Sequence, residues 1–161
     1  MKKRQVVITG AGASGLMAAI MAARKGAAVT VLEQNEKPGK KICATGNGRR
    51  NFSNLAKPDD AYRGEHPEFA EGALVQFSVE DTIDFFREIG IYPLNRNGYL
   101  YPRSNQAQSV VDVLCMEAAS LGVKIKTNEQ VTEIKTGTNE KNFQILTKGW
   151  HYDADALILS L

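Results

Sequence analysis

Three glycines, Gly10, Gly12 and Gly15, form a G-x-G-x-x-G pattern directly after the apolar run from Val6 to Thr9. A short, β-branched run of this kind is typical of a buried parallel strand, and a helical pattern follows it. At such a turn the first glycine allows the tight bend, the second lets a pyrophosphate approach the backbone, and the third lets the helix lie close to the strand. Because the helix N-terminus offers free N–H groups, the pattern predicts an anion site that needs no charged side chain.

An acidic residue, Glu33, follows a second apolar run, Ala28 to Leu32. It lies at about the 20-residue spacing from Gly10 at which an acid accepts hydrogen bonds from the ribose of adenosine. A carboxylate there would repel a 2′-phosphate, which disfavours a phosphorylated dinucleotide. Strand, glycines, helix, strand and acid occur in order within one unit. The sequence therefore predicts a dinucleotide site rather than a tight βαβ turn without a ligand.

The segment from Gln34 to Asn54 is rich in Gly, Asn, Lys and Arg, and it is predicted to be a loop without regular structure. A loop of this length inside a compact domain is unusual unless it is functional. Gly46–Gly48, followed by Arg49, Arg50 and Asn51, is a candidate nest of backbone N–H groups around a second part of the phosphate chain. The alternative is a solvated basic loop that joins two elements, and composition does not decide between the two.

The composition is that of an ordinary soluble globular domain, with 161 residues, 43% of them hydrophobic and 24% charged. A net charge of +2 is too small to argue for nucleic acid or an anionic membrane. The apolar run behind the basic start is too short for a signal peptide, and no stretch approaches the about 20 apolar residues of a membrane span. The two cysteines give no disulfide or metal framework. We therefore expect a cytoplasmic protein without a nucleic-acid or membrane partner.

The middle of the chain predicts helices and a hairpin. A short helix is expected from Pro67 to Phe77, and a clearer one begins at Ser78, which has Asp81 three residues later as in a capping box. This second helix is predicted to end at Gly90. The dipeptide Asn-Gly at 97–98 predicts a hairpin between two strands. No credible acid/base pair appears anywhere in the sequence, and its two histidines are interpreted as surface residues.

The last third of the chain predicts a return to the parallel sheet. A helix from Asn105, a third parallel strand from Val123 to Lys126 and an antiparallel meander are followed by a closing strand, Ala156 to Leu161. Ligands of such sheets bind beyond the carboxyl ends of the strands, where this last strand ends. We therefore interpret the chain as the front part of a longer protein, whose unpaired strand edges would favour self-association.

Taken together, these features resemble the two-dinucleotide-binding-domain flavoproteins. More narrowly, KPGKKICATGNGRRNFSN and NGYLYPRSNQAQSVVDVL resemble two segments of the BaiN-like bacterial flavoproteins, also labelled the aminoacetone oxidase family. The sequence departs from the family pattern at Arg50, where a cysteine is usual, and at Asn47, where a glycine is usual. The resemblance implies an α/β, Rossmann-like FAD-binding fold with a parallel sheet, a β-meander and a helix-plus-hairpin excursion.

The resemblance also implies roles for individual residues. The pyrophosphate would lie against the fingerprint, the ribose against the acid, the flavin half against the basic loop, and the adenine against backbone after the third strand. The residues matched in this way are Gly10, Gly12, Ala13, Ser14, Gly15, Glu33, Gln34, Lys41, Gly46, Gly48, Arg49, Asn51 and Val131. The resemblance assigns no catalytic residue, so these stay unknown, and no metal site is predicted.

The domain prediction follows from the same resemblance. One FAD-binding domain, the N-terminal portion of a larger protein, would occupy 1–161. It would contain the fingerprint and flavin loop in 1–54, the excursion in 55–104, and the returning helix, third strand, meander and closing strand in 105–161.

Three functions remain in competition. The leading one is the FAD-binding portion of a flavin-dependent oxidoreductase of undefined small-molecule substrate, with NAD(P)H as a candidate electron donor. The second is an NAD-dependent dehydrogenase built on the same βαβ unit. The third is a nucleotide-binding module without catalysis.

Overall fold

A computed structural model of the chain describes residues 3–44, 51–55, 62–137 and 142–160. Its residues separate into two compact units, one formed by 1–44 and 114–161 and the other by 45–113. The excursion predicted at 55–104 lies inside the second unit.

The secondary-structure elements of the described residues follow one another in a mixed order of strands and helices. In chain order they are β1 (Gln5–Thr9), α1 (Ala13–Arg24), β2 (Ala28–Leu32), α2 (Lys40–Ala44), β3 (Ser53–Asn54), a 3₁₀ turn (Pro67–Ala70), α3 (Glu71–Gln76), α4 (Val79–Glu88), β4 (Pro93–Arg96), β5 (Tyr99–Pro102), α5 (Ala107–Ser120), β6 (Lys124–Lys126), β7 (Val131–Thr136), β8 (Phe143–Thr147), β9 (His151–Ala154) and β10 (Ala156–Leu159).

The first unit is built on a parallel sheet with the strand order β10-β1-β2-β6. Strand β1 is central, because Ile8 is in register with Val31 of β2 on one side and with Ile158 of β10 on the other. The first and last strands of the described chain are therefore neighbours. Their carboxyl ends lie at the same edge of the sheet as the turn into α1.

The two faces of the sheet are covered by different elements. Val7 of β1 packs with Leu32, Ile145 and Ala154, so the antiparallel meander β7-β8-β9 covers this face. Side chains alternate along a strand, so the fully buried Ile8 points to the opposite face, where α1 packs against β1 and β2. The buried positions of α1 are small or branched, which keeps helix and sheet close; they are Gly15, Leu16, Ala19 and Ile20.

The second unit contains a three-stranded antiparallel sheet, β3-β5-β4, and helices α3 and α4. The hairpin between β4 and β5 turns at Asn97 and Gly98, both with positive φ, as the Asn-Gly signal predicts. Helix α4 begins with the predicted capping box. The Ser78 side chain accepts from the backbone N–H of Asp81 at 3.1 Å, and the Asp81 carboxylate accepts from the Ser78 N–H at 2.8 Å.

The structure confirms the predicted α/β, Rossmann-like architecture with its parallel sheet, meander and excursion. One local prediction was wrong: the segment 34–54 is not a loop throughout, because it contains α2 and the short strand β3. The short helix predicted from Pro67 to Phe77 is present, with its first turn 3₁₀ (Pro67–Ala70) and the rest α-helical (Glu71–Gln76).

Candidate dinucleotide-binding site

The turn between β1 and α1 is closed by backbone contacts at two of the three fingerprint glycines. A Cβ atom on Gly10 would lie 1.9 Å from the carbonyl oxygen of Ser160, and Gly10 has a φ of +90°. A Cβ on Gly15 would lie 1.9 Å from the carbonyl oxygen of Gly10. Both distances are far below van der Waals contact. These two glycines are therefore required by the packing of the turn against α1 and the end of β10.

Gly12 differs from the other two glycines. A Cβ built on it would meet no atom of the described chain within 4 Å, and its φ of −79° with ψ of −170° is ordinary extended backbone. Gly12 is also the N-cap of α1 and, lacking a side chain, offers no capping acceptor to the first N–H groups of the helix. The fold therefore does not require a glycine here, whereas a ligand approaching the free N–H groups of the helix would.

Glu33 lies at the carboxyl end of β2 and is buried, with 6% of its surface exposed. Its Oε2 accepts a hydrogen bond from the Ala11 N–H at 2.8 Å. Its Oε1 accepts from the backbone N–H of Asn35 at 2.8 Å and from the Asn35 side-chain amide at 2.6 Å. A buried carboxylate requires such donors to offset its lost hydration. Glu33, the residue predicted to bind the ribose, is thus hydrogen-bonded directly to the glycine turn.

The backbone of Ala11 is held on both sides by the segment that follows β2. Its N–H donates to Glu33, and its carbonyl oxygen accepts from the Gly39 N–H at 2.8 Å. Gly39 has a φ of +72° and immediately precedes α2. Asn35 and Gly39 are site residues that the sequence analysis missed. The available signal was the pair of a short amide side chain and a glycine close behind the acid.

Ser14 and Ser160 face each other across the mouth of the turn. Their hydroxyl oxygens are 2.7 Å apart, and Ser160 is anchored by the hydrogen bond from its N–H to the carbonyl oxygen of Thr9 at 3.0 Å. Ala13 and Ser14 are exposed in the first turn of α1. The hydroxyl of Thr9 is buried and has no hydrogen-bond partner among the described residues. Through Ser160, the end of the closing strand therefore contacts both β1 and the first turn of α1.

The other predicted ligands are distributed along the chain. Gln34 is exposed beside Glu33, and Lys41 is exposed in α2. Val131 is the first residue of β7, opposite Thr147. Its side chain packs against the buried cluster formed by Val7, Leu32, Ile145 and Ala154. Its backbone contact with adenine stays a prediction, as do the ligand roles of the other residues.

The loop predicted to contact the flavin half is described only in part. Gly46, Gly48 and Arg49 lie outside the described residues, as do Asn47 and Arg50. Asn51 belongs to the second unit, where its side-chain amide donates to the carbonyl oxygen of Ser53 at 2.9 Å. The proposed nest of backbone N–H groups thus stays a prediction.

The segment after β6 runs beside the segment after β2. The N–H of Glu33 donates to the carbonyl oxygen of Lys126 at 2.8 Å, and the N–H of Glu129 donates to the carbonyl oxygen of Glu33 at 2.9 Å. Burial raises the pKa of Tyr152 on β9, and the neighbouring carboxylate of Glu129 adds to this. The acid-bearing end of β2 is therefore connected through Glu129 to the meander.

Clusters of metal-ligating side chains and membrane-spanning helices are both absent from the described ranges. No group of three or more His, Cys, Asp or Glu side chains there could hold a metal ion. Within the same ranges, no helix has the length and apolarity needed to span a bilayer.

A family model described as "HI0933-like protein Rossmann domain" matches residues 4–161. The chain belongs to this HI0933-like family. This membership confirms the family-level resemblance expected from the sequence. The curated relatives of the chain include a 3-dehydro-bile acid delta(4,6)-reductase of Clostridium scindens. That relative is 46% identical over 158 residues, which cover 97% of this chain and 38% of the relative.

Another curated relative is the ribosomal RNA dihydrouridine synthase of Escherichia coli, at 30% identity over 99% of this chain and 40% of the relative. The HI0933-like chain thus spans about two-fifths of the length of these curated relatives. Solved structures share the fold. CtdE in complex with FAD has a TM-score of 0.56 at 24% identity, over 99% of this chain and 38% of that one. The 3-ketosteroid-delta4-(5alpha)-dehydrogenase of Rhodococcus jostii has a TM-score of 0.62 at 17% identity, over 98% and 45%.

Proposed function

We propose that this chain is the FAD-binding portion of a flavin-dependent oxidoreductase. The observation that carries the proposal is the contrast between Gly12 and the other two fingerprint glycines. Gly10 and Gly15 are fixed by protein backbone, whereas the space beside Gly12 is open and lies at the free N–H groups of α1. An absent Cβ at that position suits a pyrophosphate that approaches the backbone.

The choice of FAD is supported by the family and by the acid. Glu33 presents a carboxylate on the same turn, which suits the ribose of an adenine dinucleotide that has no 2′-phosphate. The fold is shared with CtdE, whose structure contains FAD. When bound, FAD supplies the redox chemistry, and this chain supplies binding and orientation. Gly10, Gly12, Ala13, Ser14 and Gly15 would hold the pyrophosphate.

The remaining predicted ligands complete the proposed site. Glu33 and Gln34 would lie at the ribose, and the backbone of Val131 at the adenine. The flavin half would contact the segment that contains Lys41, Gly46, Gly48, Arg49 and Asn51. We propose NAD(P)H as the electron donor.

A small-molecule substrate is the proposal that the relatives favour. The relative at 46% identity is named for a 3-dehydro-bile acid, whereas those named for ribosomal RNA are 30% and 32% identical. The net charge of +2 also gives little attraction for RNA. We therefore propose reduction of a small molecule, without a nucleic-acid partner, in the cytoplasm.

Self-association is also proposed. Strand β10 ends the sheet order of the described chain, and its four residues are apolar, with Leu159 61% exposed. The opposite edge strand, β6, carries Lys124 and Lys126, which discourage pairing with another strand. Size-exclusion chromatography of the chain would test this proposal.

The visible spectrum of the purified chain after incubation with FAD tests the proposed function. We expect flavin absorption to co-elute with the protein after gel filtration. Binding of NADH without flavin would favour the nicotinamide-dependent dehydrogenase. Binding of neither would favour a module without this cofactor.

A further inference from the structure

The two oxygens of the Glu33 carboxylate accept hydrogen bonds from two different residues, Asn35 and Ala11. Oε1 accepts both donors of Asn35, the backbone N–H at 2.8 Å and the side-chain amide at 2.6 Å. Oε2 accepts the Ala11 N–H at 2.8 Å. A carboxylate has about four acceptor positions, two on each oxygen. Within the described part of the chain, the acceptor position still open is therefore on Oε2, the oxygen next to the glycine turn.

Asn35 is itself held in place. Its carbonyl Oδ1 accepts from Nζ of Lys40 at 3.3 Å, and its backbone carbonyl oxygen accepts from the Asn128 N–H at 3.1 Å. A lysine can only donate, so Oδ1 faces Lys40 and the NH₂ group of the amide faces Glu33. The side chain of Asn35 is thus oriented as a donor toward the carboxylate.

We propose that Asn35 is a positioning residue that fixes the Glu33 carboxylate for recognition of the adenosine ribose. By occupying Oε1, it leaves Oε2 as the acceptor for a ribose hydroxyl. This inference rests on the proposed function, because it assigns a partner to the adenosine half of the same site. In this proposal Asn35 acts through its hydrogen bonds to Glu33 and not through a contact of its own with the ligand.

The first test measures the dissociation constants of FAD and ADP for the wild-type chain and for Asn35→Ala. ADP contains the adenosine ribose and the pyrophosphate but no flavin. We expect both ligands to bind roughly tenfold to a hundredfold more weakly, as for the loss of a hydrogen bond to a charged group. The matched control is Asn142→Ala, whose side-chain amide donates to the carbonyl oxygen of Asp155 instead. That control should leave both constants unchanged.

The second test separates positioning from a merely structural role. Asn35→Asp keeps the size and the backbone donor but replaces the amide donor with a carboxyl group. At about pH 7.5 the two carboxylates repel each other, so FAD should bind more weakly than to Asn35→Ala. The introduced carboxyl group faces Glu33 at one oxygen, which raises its pKa, and the Lys40 ammonium at the other, which lowers it. Glu33 is closer and buried whereas Lys40 is exposed, so the rise prevails, and near pH 5 the group takes up a proton and donates again. The loss of affinity should therefore shrink for Asn35→Asp and stay constant for Asn35→Ala.

The outcomes distinguish this inference from the proposed function. Unchanged FAD and ADP affinities in Asn35→Ala would overturn the inference and leave the proposed function intact. An equal loss in Asn35→Asp at both pH values, with a lowered melting temperature, would show a structural role and also overturn it. If the wild-type chain binds ADP more tightly than Asn35→Ala does, but does not bind FAD, the inference is supported and the proposed function is overturned. Binding of neither ligand would overturn both.

Discussion

A methyl group on Gly15 would lie 1.9 Å from the carbonyl oxygen of Gly10, five residues earlier in the same turn. The two glycines are thus joined by the packing of helix α1 on strand β1. Gly12, between them in sequence, has no such contact, since no described atom lies within 4 Å of its would-be Cβ. The three glycines of one motif therefore differ in role: two are required by the fold, and the third is the one that we propose contacts the ligand.

Gly12→Val should abolish or strongly weaken FAD binding without unfolding the chain. The new Cβ meets no described atom within 4 Å, and the valine methyl groups would occupy the space that the pyrophosphate needs. FAD should therefore bind at least roughly tenfold to a hundredfold more weakly. The N-cap change should alter the free energy of unfolding by less than about 1 kcal/mol. Fluorescence titration and urea denaturation measure the two quantities. Gly149→Ala, which also meets no atom within 4 Å, is the control. Stoichiometric flavin in Gly12→Val would mean that the fingerprint has been misassigned.

Gly15→Ala should instead destabilise the apo protein. The new methyl group must displace the carbonyl of Gly10, and overpacking of this kind costs about 1–3 kcal/mol. Gly10→Ala should cost more, because its Cβ meets the Ser160 carbonyl and its φ of +90° is strained for alanine. Urea denaturation of the apo chain measures both changes. Urea denaturation curves that match the wild type would show that the turn relaxes without cost.

The sequence could predict what depends on local signals. The bounds of β2 follow from an apolar run between a glycine and an acid, and the start of α4 follows from Ser78 and Asp81. The hairpin follows from Asn97 and Gly98 in the same way. Each of these signals acts over a few residues, so a single sequence is sufficient to identify it.

What the sequence could not predict depends on tertiary contacts. Helix α2 has only five residues, too few to show a helical period, and it begins where Gly39 donates to Ala11. The role of Asn35 depends on the burial of Glu33, which propensity does not reveal. The open space at Gly12 depends on how α1 and β10 pack, since its residue type is the same as that of Gly10.

Glu33→Ala should weaken FAD more than FMN, because only FAD contains the adenosine ribose. Loss of a charge-assisted hydrogen bond should cost about 1.5–3 kcal/mol of FAD binding. The structure adds a second effect. The Ala11 N–H and the Asn35 amide lose their acceptor, so the apo chain should be destabilised by about 1–3 kcal/mol. Titration with both flavins and urea denaturation separate the effects. The exposed neighbour variant Glu36→Ala is the control, and equal losses for both flavins would exclude Glu33 from the ribose site.

Thr9→Val should stabilise the apo chain. The Thr9 hydroxyl is buried at the end of β1 and has no partner in the described part of the chain. Valine has nearly the same shape without the polar atom, so removing this cost should add about 1 kcal/mol to the free energy of unfolding. Thr30→Val is the control: Thr30 lies on the neighbouring strand β2 and is only half-buried, so the same substitution should have a smaller effect there. A destabilised Thr9→Val chain would show that the hydroxyl has a partner in solution.

The capping box of α4 should make the second unit sensitive to acid. Hydrogen bonds from the backbone and side chain of Ser78 hold the pKa of Asp81 below its ordinary value of 3.8. A carboxyl group whose pKa is lowered by folding contributes stability above its unfolded pKa, and this contribution is lost as the pH falls through the folded-state value. The difference in free energy of unfolding between the wild type and Asp81→Ala should therefore be constant above about pH 5 and should shrink below 3.8. Urea denaturation followed by circular dichroism at pH 7, 5 and 3 measures this difference. Asp84→Ala, on the same helix but outside the capping box, is the control for removing a carboxyl group from this helix. A difference that stays constant down to pH 3 would mean that the carboxylate of Asp81 does not cap the helix.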